Sequence, residues 1–238
     1  MNESRTPAWL LLHGVPLTPA VWAPLVQRLP AAFAADAIMP TMIATESSPD
    51  VQAGLAGELV RRHRQDARRL HVVGHSFGGQ VALEFALQAP ASVASLTLLC
   101  TRDTPFPAFA RLAETVRNSP IDPSQSIQRW FNTAEIEANG PAVRYARATL
   151  ERADRTQWSA ALTAISRFDC SERTGQITAP TTVIAADRDP VSSVSAMGEM
   201  ADRIVDARMS VLADAGHMSP FSDPERLADL LLASARRA

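Results

Sequence analysis

A glycine-flanked serine stands at Gly74-His75-Ser76-Phe77-Gly78-Gly79, directly after the apolar run Leu70-His71-Val72-Val73 and directly before a helical pattern, Gln80 to Gln88, that Pro90 stops. A GxSxG run alone is common enough by chance to decide little. A buried strand before it and a helix after it give it weight. A serine on a sharp strand-to-helix turn sits in a strained backbone conformation with its hydroxyl held outward. Side chains at the two flanking positions would collide with the neighbouring strand and helix, so Gly74 and Gly78 are required there. The helix N-terminus also leaves unpaired N–H groups and a positive dipole end, which favour negative charge on an attacked carbonyl oxygen. The chemistry this arrangement suits is nucleophilic attack on an acyl carbon by Ser76, with the Phe77 N–H as one oxyanion donor. The bland alternative is a serine that only caps its helix.

Such a serine needs a base. Of the five histidines, His63 lies in a charged helical stretch, His71 at a strand start, His75 beside the serine and His13 in an early loop. His217 fits the role: in Ala213-Asp214-Ala215-Gly216-His217-Met218 it follows a late strand candidate and precedes a helix opening near Ser222-Asp223-Pro224-Glu225. That order places it on a loop at the carboxyl end of the sheet, where the serine turn also lies. The acid that orients it is expected after another buried strand, and Val183-Ile184-Ala185-Ala186-Asp187-Arg188-Asp189-Pro190-Val191 offers two carboxylates there. Asp189 is favoured. Asp187, whose other readings are organising the turn or pairing with Arg188, and Asp103, just past an earlier strand, stay open as alternatives. The second oxyanion donor is expected from the loop Leu11-Leu12-His13-Gly14-Val15-Pro16, with the Val15 N–H as candidate. His13, next to Gly14, reads as a loop organiser bonded to nearby backbone and not as part of the triad.

The elements that must position these groups are short apolar runs separated by helix-period stretches, the signal of parallel strands with crossover helices, so the fold class is α/β. Strands are expected at Trp9 to Leu12, Leu70 to Val73, Ser95 to Cys100 and Thr181 to Ala185, with weaker candidates at Ala37 to Met39 and Met209 to Leu212. They read as continuous runs, as strands covered by helices on both faces do. Pro19 to Leu29 reads as one helix with Val21, Trp22, Leu25, Val26 and Leu29 on its inner side. A second, Ala53 to Ala67, turns Leu55, Leu59 and Val60 inward. Residues 103–179 differ: Pro105, Pro107, Pro120, Pro123, Pro141 and Gly140 punctuate short helical patterns with no strand signal. Residues 1–102 and 180–238 are therefore expected to form one core carrying 103–179 as a helical insertion. The apolar and aromatic side chains of that insertion, Phe106, Phe109, Leu112, Trp130, Phe131, Tyr145, Leu150, Trp158, Leu162 and Phe168, exceed what helices packed on each other need; core packing is the bland reading for most, and some are expected to line a pocket.

Composition excludes several classes of function. With 46% hydrophobic residues, 20% charged residues and a net charge of −2 over 238 residues, no global electrostatic reason exists for a nucleic-acid or anionic-membrane partner. The basic run Arg61, Arg62, His63, Arg64, Arg68, Arg69 is interleaved with Glu58 and Asp66 and carries no aromatic residues, so it reads as a solvated helix face. The N-terminal apolar run Ala8 to Leu12 is too short for a signal-peptide core or a membrane span. A cytoplasmic enzyme with a small-molecule acyl substrate, present as a monomer or small homo-oligomer, is expected. Cys100 and Cys170 lack metal-ligand spacing and read as reduced structural thiols. No metal or organic cofactor is expected, since no HExxH, CxxC, GxGxxG or P-loop pattern occurs.

Taken in order, His13-Gly14, GHSFGG at 74 to 79, a strand followed by Asp189-Pro190-Val191, and Gly216-His217 resemble the α/β-hydrolase superfamily over nearly the whole chain. The resemblance implies a central, mostly parallel sheet, a helical cap inserted at about 103 to 179 and a pocket between cap and sheet. The chain begins almost at what would be the family's third strand, so the two usual N-terminal strands are expected to be missing or vestigial. HGVPLTPAVW at 13 to 22 is similar to the segment of small esterases, lactonases and perhydrolase-type members. Dehalogenases and epoxide hydrolases share HGxP but use Asp where this chain has Ser76. The expected activity is cleavage of a small ester, lactone or thioester through an acyl-enzyme on Ser76. The alternatives are acyl transfer to another acceptor, including peroxide, C–C bond hydrolysis or lyase chemistry, and a receptor-like protein that binds ligand without turnover.

Overall fold

A computed structural model describes residues 6–44, 50–64, 68–120 and 122–238. Six strands, β1 (Ala8–Leu12), β2 (Ala37–Ile38), β3 (Leu70–His75), β4 (Val93–Leu99), β5 (Thr181–Ala186) and β6 (Ala207–Leu212), form one sheet in the order β2-β1-β3-β4-β5-β6. Every neighbouring pair is parallel, with Leu10 opposite Val72, Val72 opposite Leu96, Leu98 opposite Val183 and Val183 opposite Met209. The fold class is the α/β one that the sequence implies.

Twelve helices run between and beyond the strands among the described residues. They are α1 (Ala23–Val26), α2 (Ala31–Ala34), α3 (Val51–His63), α4 (Phe77–Gln88), α5 (Ala108–Asn118), α6 (Pro123–Trp130), α7 (Thr133–Ala138), α8 (Pro141–Arg152), α9 (Arg155–Arg167), α10 (Ser171–Thr174), α11 (Val194–Arg203) and α12 (Pro224–Ala235). Several begin where a side chain supplies the acceptor that free first-turn N–H groups need: Asp122 for Ser124, Asp154 for Thr156 and Gln157, and Asp223 for Arg226. Asn132 and Glu135 close a reciprocal capping box on α7. None of the helices is long and apolar enough to cross a membrane.

Because side chains alternate across a strand, successive residues feed two separate cores. Leu10, Leu12, Val72, Leu96, Leu98 and Val183 pack on one side with Val81 and Phe85 of α4 and Met197 and Met200 of α11. Trp9, Leu11, Val73, Leu99 and Ile184 pack on the other with Trp22, Leu25 and with Leu227 and Leu231 of α12. Each such large side chain contributes about 1.5–3 kcal/mol by burial, and truncating one, as in Leu98→Ala, would cost about 2–5 kcal/mol.

Several expectations need correction at their ends: β4, read as Ser95 to Cys100, runs Val93–Leu99, β3 continues to His75, β6 starts at Ala207 and α4 starts at Phe77. Pro19 to Leu29 is not one helix: a 3-10 turn, Pro19–Trp22, passes into α1, which stops at Val26. Val21, Trp22, Leu25 and Leu29 are nevertheless buried, because both helix types return the same face inward at this spacing. The helix read from Ala53 starts two residues earlier, at Val51, and is described to His63; residues 65–67 of that reading, Asp66 among them, lie outside the described residues.

Candidate active site

Ser76 occupies the position before the first residue of α4 with φ 55° and ψ −121°, a region that costs a non-glycine residue about 1–3 kcal/mol. Its hydroxyl makes no capping bond to the helix, which removes the bland explanation for a serine there. The strain is held by hydrogen bonds on both sides: the Ser76 N–H donates to the Leu99 carbonyl at 3.0 Å, and the Thr101 hydroxyl donates to the Ser76 carbonyl at 2.7 Å. A Cβ on Gly74 would stand 2.4 Å from the Gly78 carbonyl oxygen, and one on Gly78 would stand 2.3 Å from that of Leu12. Both glycines are required by close backbone approach, strand to helix and helix to the neighbouring strand's loop.

His217 lies on the loop after β6 and is buried. Its Nδ1–H donates to Asp189 Oδ2 at 2.6 Å, a length typical of a charge-assisted bond. With that proton on Nδ1, Nε2 is left to accept another. The Asp189 carboxylate also accepts from the Val191 and Ser192 N–H groups at 2.8 and 3.2 Å. Burial pushes its pKa up, but the facing His217 and these three hydrogen bonds outweigh burial and hold it below the usual carboxylate value.

The three candidate acids are separated by geometry. Asp187 accepts from the Ala215 N–H at 3.0 Å and so braces the loop that carries His217 without meeting its ring. Asp103 is fully buried and engaged elsewhere: Arg203 donates to both of its oxygens at 2.7 and 3.0 Å, and Thr174 adds a third bond at 2.9 Å. Asp189 is the one against His217.

The remaining histidines have structural partners. His13 Nδ1–H donates to the Gly14 carbonyl at 2.8 Å, the loop-organiser arrangement expected from its place before glycine. His71 meets the Ser95 hydroxyl at 2.9 Å, and His63 the Arg68 carbonyl at 2.6 Å. His75 has a role the sequence does not signal: its Nε2–H donates to the main-chain carbonyl of His217 at 3.0 Å, with the two rings 4.9 Å apart. Burial, followed by the neighbouring His217, lowers the His75 pKa to about 3, so it stands neutral beside the base.

Ser76 and His217 line one cavity of about 40 Å³ together with Val15 of the early loop, Val191, and Phe109, Leu112, Ser126, Arg129, Trp130, Trp158, Leu162 and Ile165 from α5, α6 and α9. Five of the ten apolar residues singled out in the insertion thus line this cavity; Phe106, Phe131, Tyr145, Leu150 and Phe168 do not, and Phe131, Leu150 and Phe168 are buried in the cores. Phe77 heads α4, where first-turn N–H groups lack intrahelical acceptors. The insertion is tied to the histidine loop through backbone: the Met218 N–H donates to the Trp130 carbonyl at 2.8 Å, and Asn132 Nδ2 to the Asp214 carbonyl at 2.7 Å.

Cys100 completes a buried group whose ligand-type atoms, with those of Asp189 and His217, lie within 4.8 Å of one another. Burial, with Asp189 adding to it, pushes the thiol well above its ordinary range. The 2.6 Å between His217 and Asp189 is a hydrogen-bond length, shorter than the separation of two ligands each about 2.0–2.2 Å from one ion.

A strained serine at a strand-to-helix turn, sharing a cavity with a hydrogen-bonded histidine–carboxylate pair at the carboxyl edge of a parallel sheet, fits an α/β-hydrolase architecture. The chain belongs to the alpha/beta hydrolase family, whose model matches residues 9–230, and it is accordingly an α/β-fold hydrolase. It is similar to the pimeloyl-[acyl-carrier protein] methyl ester esterase of Aromatoleum aromaticum, 27% identical over 94% of this chain and 96% of that protein. A monoacylglycerol lipase of Xenopus laevis is 25% identical over 93% of this chain and 73% of its own length. Among solved structures, a thermophilic esterase from Thermogutta terrifontis superposes with a TM-score of 0.80 at 27% identity, covering 97% of this chain and 90% of that one. The enol-lactonase of Burkholderia xenovorans, TM-score 0.84 at 18% identity over 99% and 94% of the two chains, shares the fold.

Proposed function

We propose that the protein cleaves a small carboxylic ester, lactone or thioester through an acyl-enzyme on Ser76. His217 Nε2 takes the Ser76 proton as the oxygen attacks the carbonyl carbon, and returns it to the leaving group as the tetrahedral intermediate collapses. Water then repeats the sequence on the acyl-enzyme, releasing the acid and restoring Ser76. Asp189 keeps the His217 proton on Nδ1 and stabilises the imidazolium, while the Val15 and Phe77 N–H groups hold the oxyanion.

The observation that carries this reading is the buried 2.6 Å hydrogen bond from His217 to Asp189 beside an uncapped serine that shares its cavity. The named activities of similar proteins, a methyl ester esterase and a monoacylglycerol lipase, favour an ester. Residues 103–179 act in this reading as the cap over the pocket, and the partner is a small acyl substrate. We place the enzyme in the cytoplasm, in keeping with Cys100 and Cys170 being free and buried. A fluorophosphonate probe tests the nucleophile: phosphonylation is expected on Ser76 in peptide mass spectra and absent from Ser76→Ala. A folded wild-type protein that stays unlabelled would oppose the proposal.

A further inference from the structure

Arg129 is the one charged side chain among the residues that share the cavity with Ser76 and His217, and no carboxylate lines that cavity among the described residues. It stands three residues after Ser126 and just before Trp130 on α6, and all three line the cavity of Ser76, Arg129 being exposed. Ser126 is buried, and its hydroxyl is the partner found for the guanidinium, at 3.3 Å from Nη2. A guanidinium carries five donors in a planar fork suited to a carboxylate, and this one has no acidic partner among the described residues. Its neighbour Trp130 is fixed by backbone: the Trp130 carbonyl accepts the Met218 N–H, and a Cβ on Gly216 would stand 2.6 Å from the same oxygen. The position of Arg129 is therefore set relative to the residues flanking His217.

Resting on the reading of Ser76 as an ester nucleophile, we propose that the substrate carries a free carboxylate, which Arg129 and Ser126 bind while the scissile ester lies at Ser76. The cavity of about 40 Å³ suits a short chain between the two groups, such as a monoester of a small dicarboxylic acid or an acylated hydroxy acid. Two matched pairs separate the two ways a carboxylate can be attached: monoethyl glutarate against ethyl pentanoate, and 4-acetoxybutanoate against butyl acetate. Turnover is followed by product analysis in wild type, Arg129→Gln and Arg129→Lys, and binding of the same compounds is measured by calorimetry on Ser76→Ala and on that variant combined with Arg129→Gln.

In at least one pair the charged compound should exceed its neutral partner by roughly tenfold in kcat/KM and in affinity, as one charge-assisted contact allows. Arg129→Gln should bring the ratio near one, and Arg129→Lys should keep part of it. Discrimination in binding that depends on Arg129 without any turnover would support the carboxylate site while removing the ester-cleavage reading. Turnover of both members of each pair with no preference, or a preference that Arg129→Gln leaves intact, would overturn the carboxylate site alone.

Discussion

His75 Nε2 stands 3.0 Å from the main-chain carbonyl oxygen of His217, so the residue before the nucleophile holds the loop that carries the base. The contact joins the end of β3 to the loop after β6 through one hydrogen bond in a buried setting, where the carbonyl has little else to turn to. His75→Phe keeps a ring against His217 and Phe221, which His75 now packs beside at 4.9 and 5.0 Å, and deletes the donor. A fall of about tenfold in kcat with little change in KM is expected, since small misplacement of a catalytic group is sufficient for that. Unchanged kcat in a folded variant would show that the loop needs no such tie.

Stability should fall as the solution turns mildly acidic. His75 and His71 are buried neutral, their pKa values lowered to about 3 and about 4, in both cases chiefly by burial. In the unfolded chain both titrate near 6.5. Between pH 6.5 and those lower values the unfolded state binds more protons than the folded one, so their contribution is full above pH 6.5 and is lost as pH falls. Each group adds a slope of up to about 1.4 kcal/mol per pH unit in that window. Urea midpoints should drop clearly between pH 7 and pH 5, and less in His75→Phe; a flat profile over that range would contradict the buried neutral histidines.

The three carboxylates considered for the triad should behave differently. Asp189→Asn removes the acceptor that fixes the His217 tautomer and should lower kcat by about 10³–10⁴ with the fold retained. Asp187→Asn, which weakens only a brace on Ala215, should leave most of kcat. Asp103→Asn leaves Arg203 facing a neutral amide in a buried site and should cost about 2–4 kcal/mol in denaturation, less than a fully buried pair because Arg203 is partly exposed. Loss of kcat on Asp187→Asn equal to that on Asp189→Asn would reverse the assignment.

The sheet was legible because β1, β3, β4 and β5 are covered on both faces and so appear as unbroken apolar runs. β2 and β6 gave weaker signals for a physical reason: they are the edges, β2 pairs through two residues, and β6 leaves Val211 exposed among alternating polar residues. Pro24, inside the segment read as one helix, falls in the first turn of α1 instead, where a missing N–H does no harm. At the site, the serine turn and the histidine loop showed in local spacing. Asp189 was favoured over Asp187 and Asp103 with both left open; what did not show was that His75 reaches a carbonyl beyond β6, and which face of the eight-residue α6 looks inward. Those depend on how loops from separate crossovers meet, and no local period encodes that.

Hydrolysis of p-nitrophenyl esters of graded acyl length at neutral pH, with wild type and Ser76→Ala run side by side, tests the acyl-enzyme assignment most directly. Turnover that favours short acyl groups and disappears with the Ser76 hydroxyl, in a variant as stable as wild type, is expected. Turnover that survives in pure Ser76→Ala, or a folded wild type that cleaves none of the series, would contradict it.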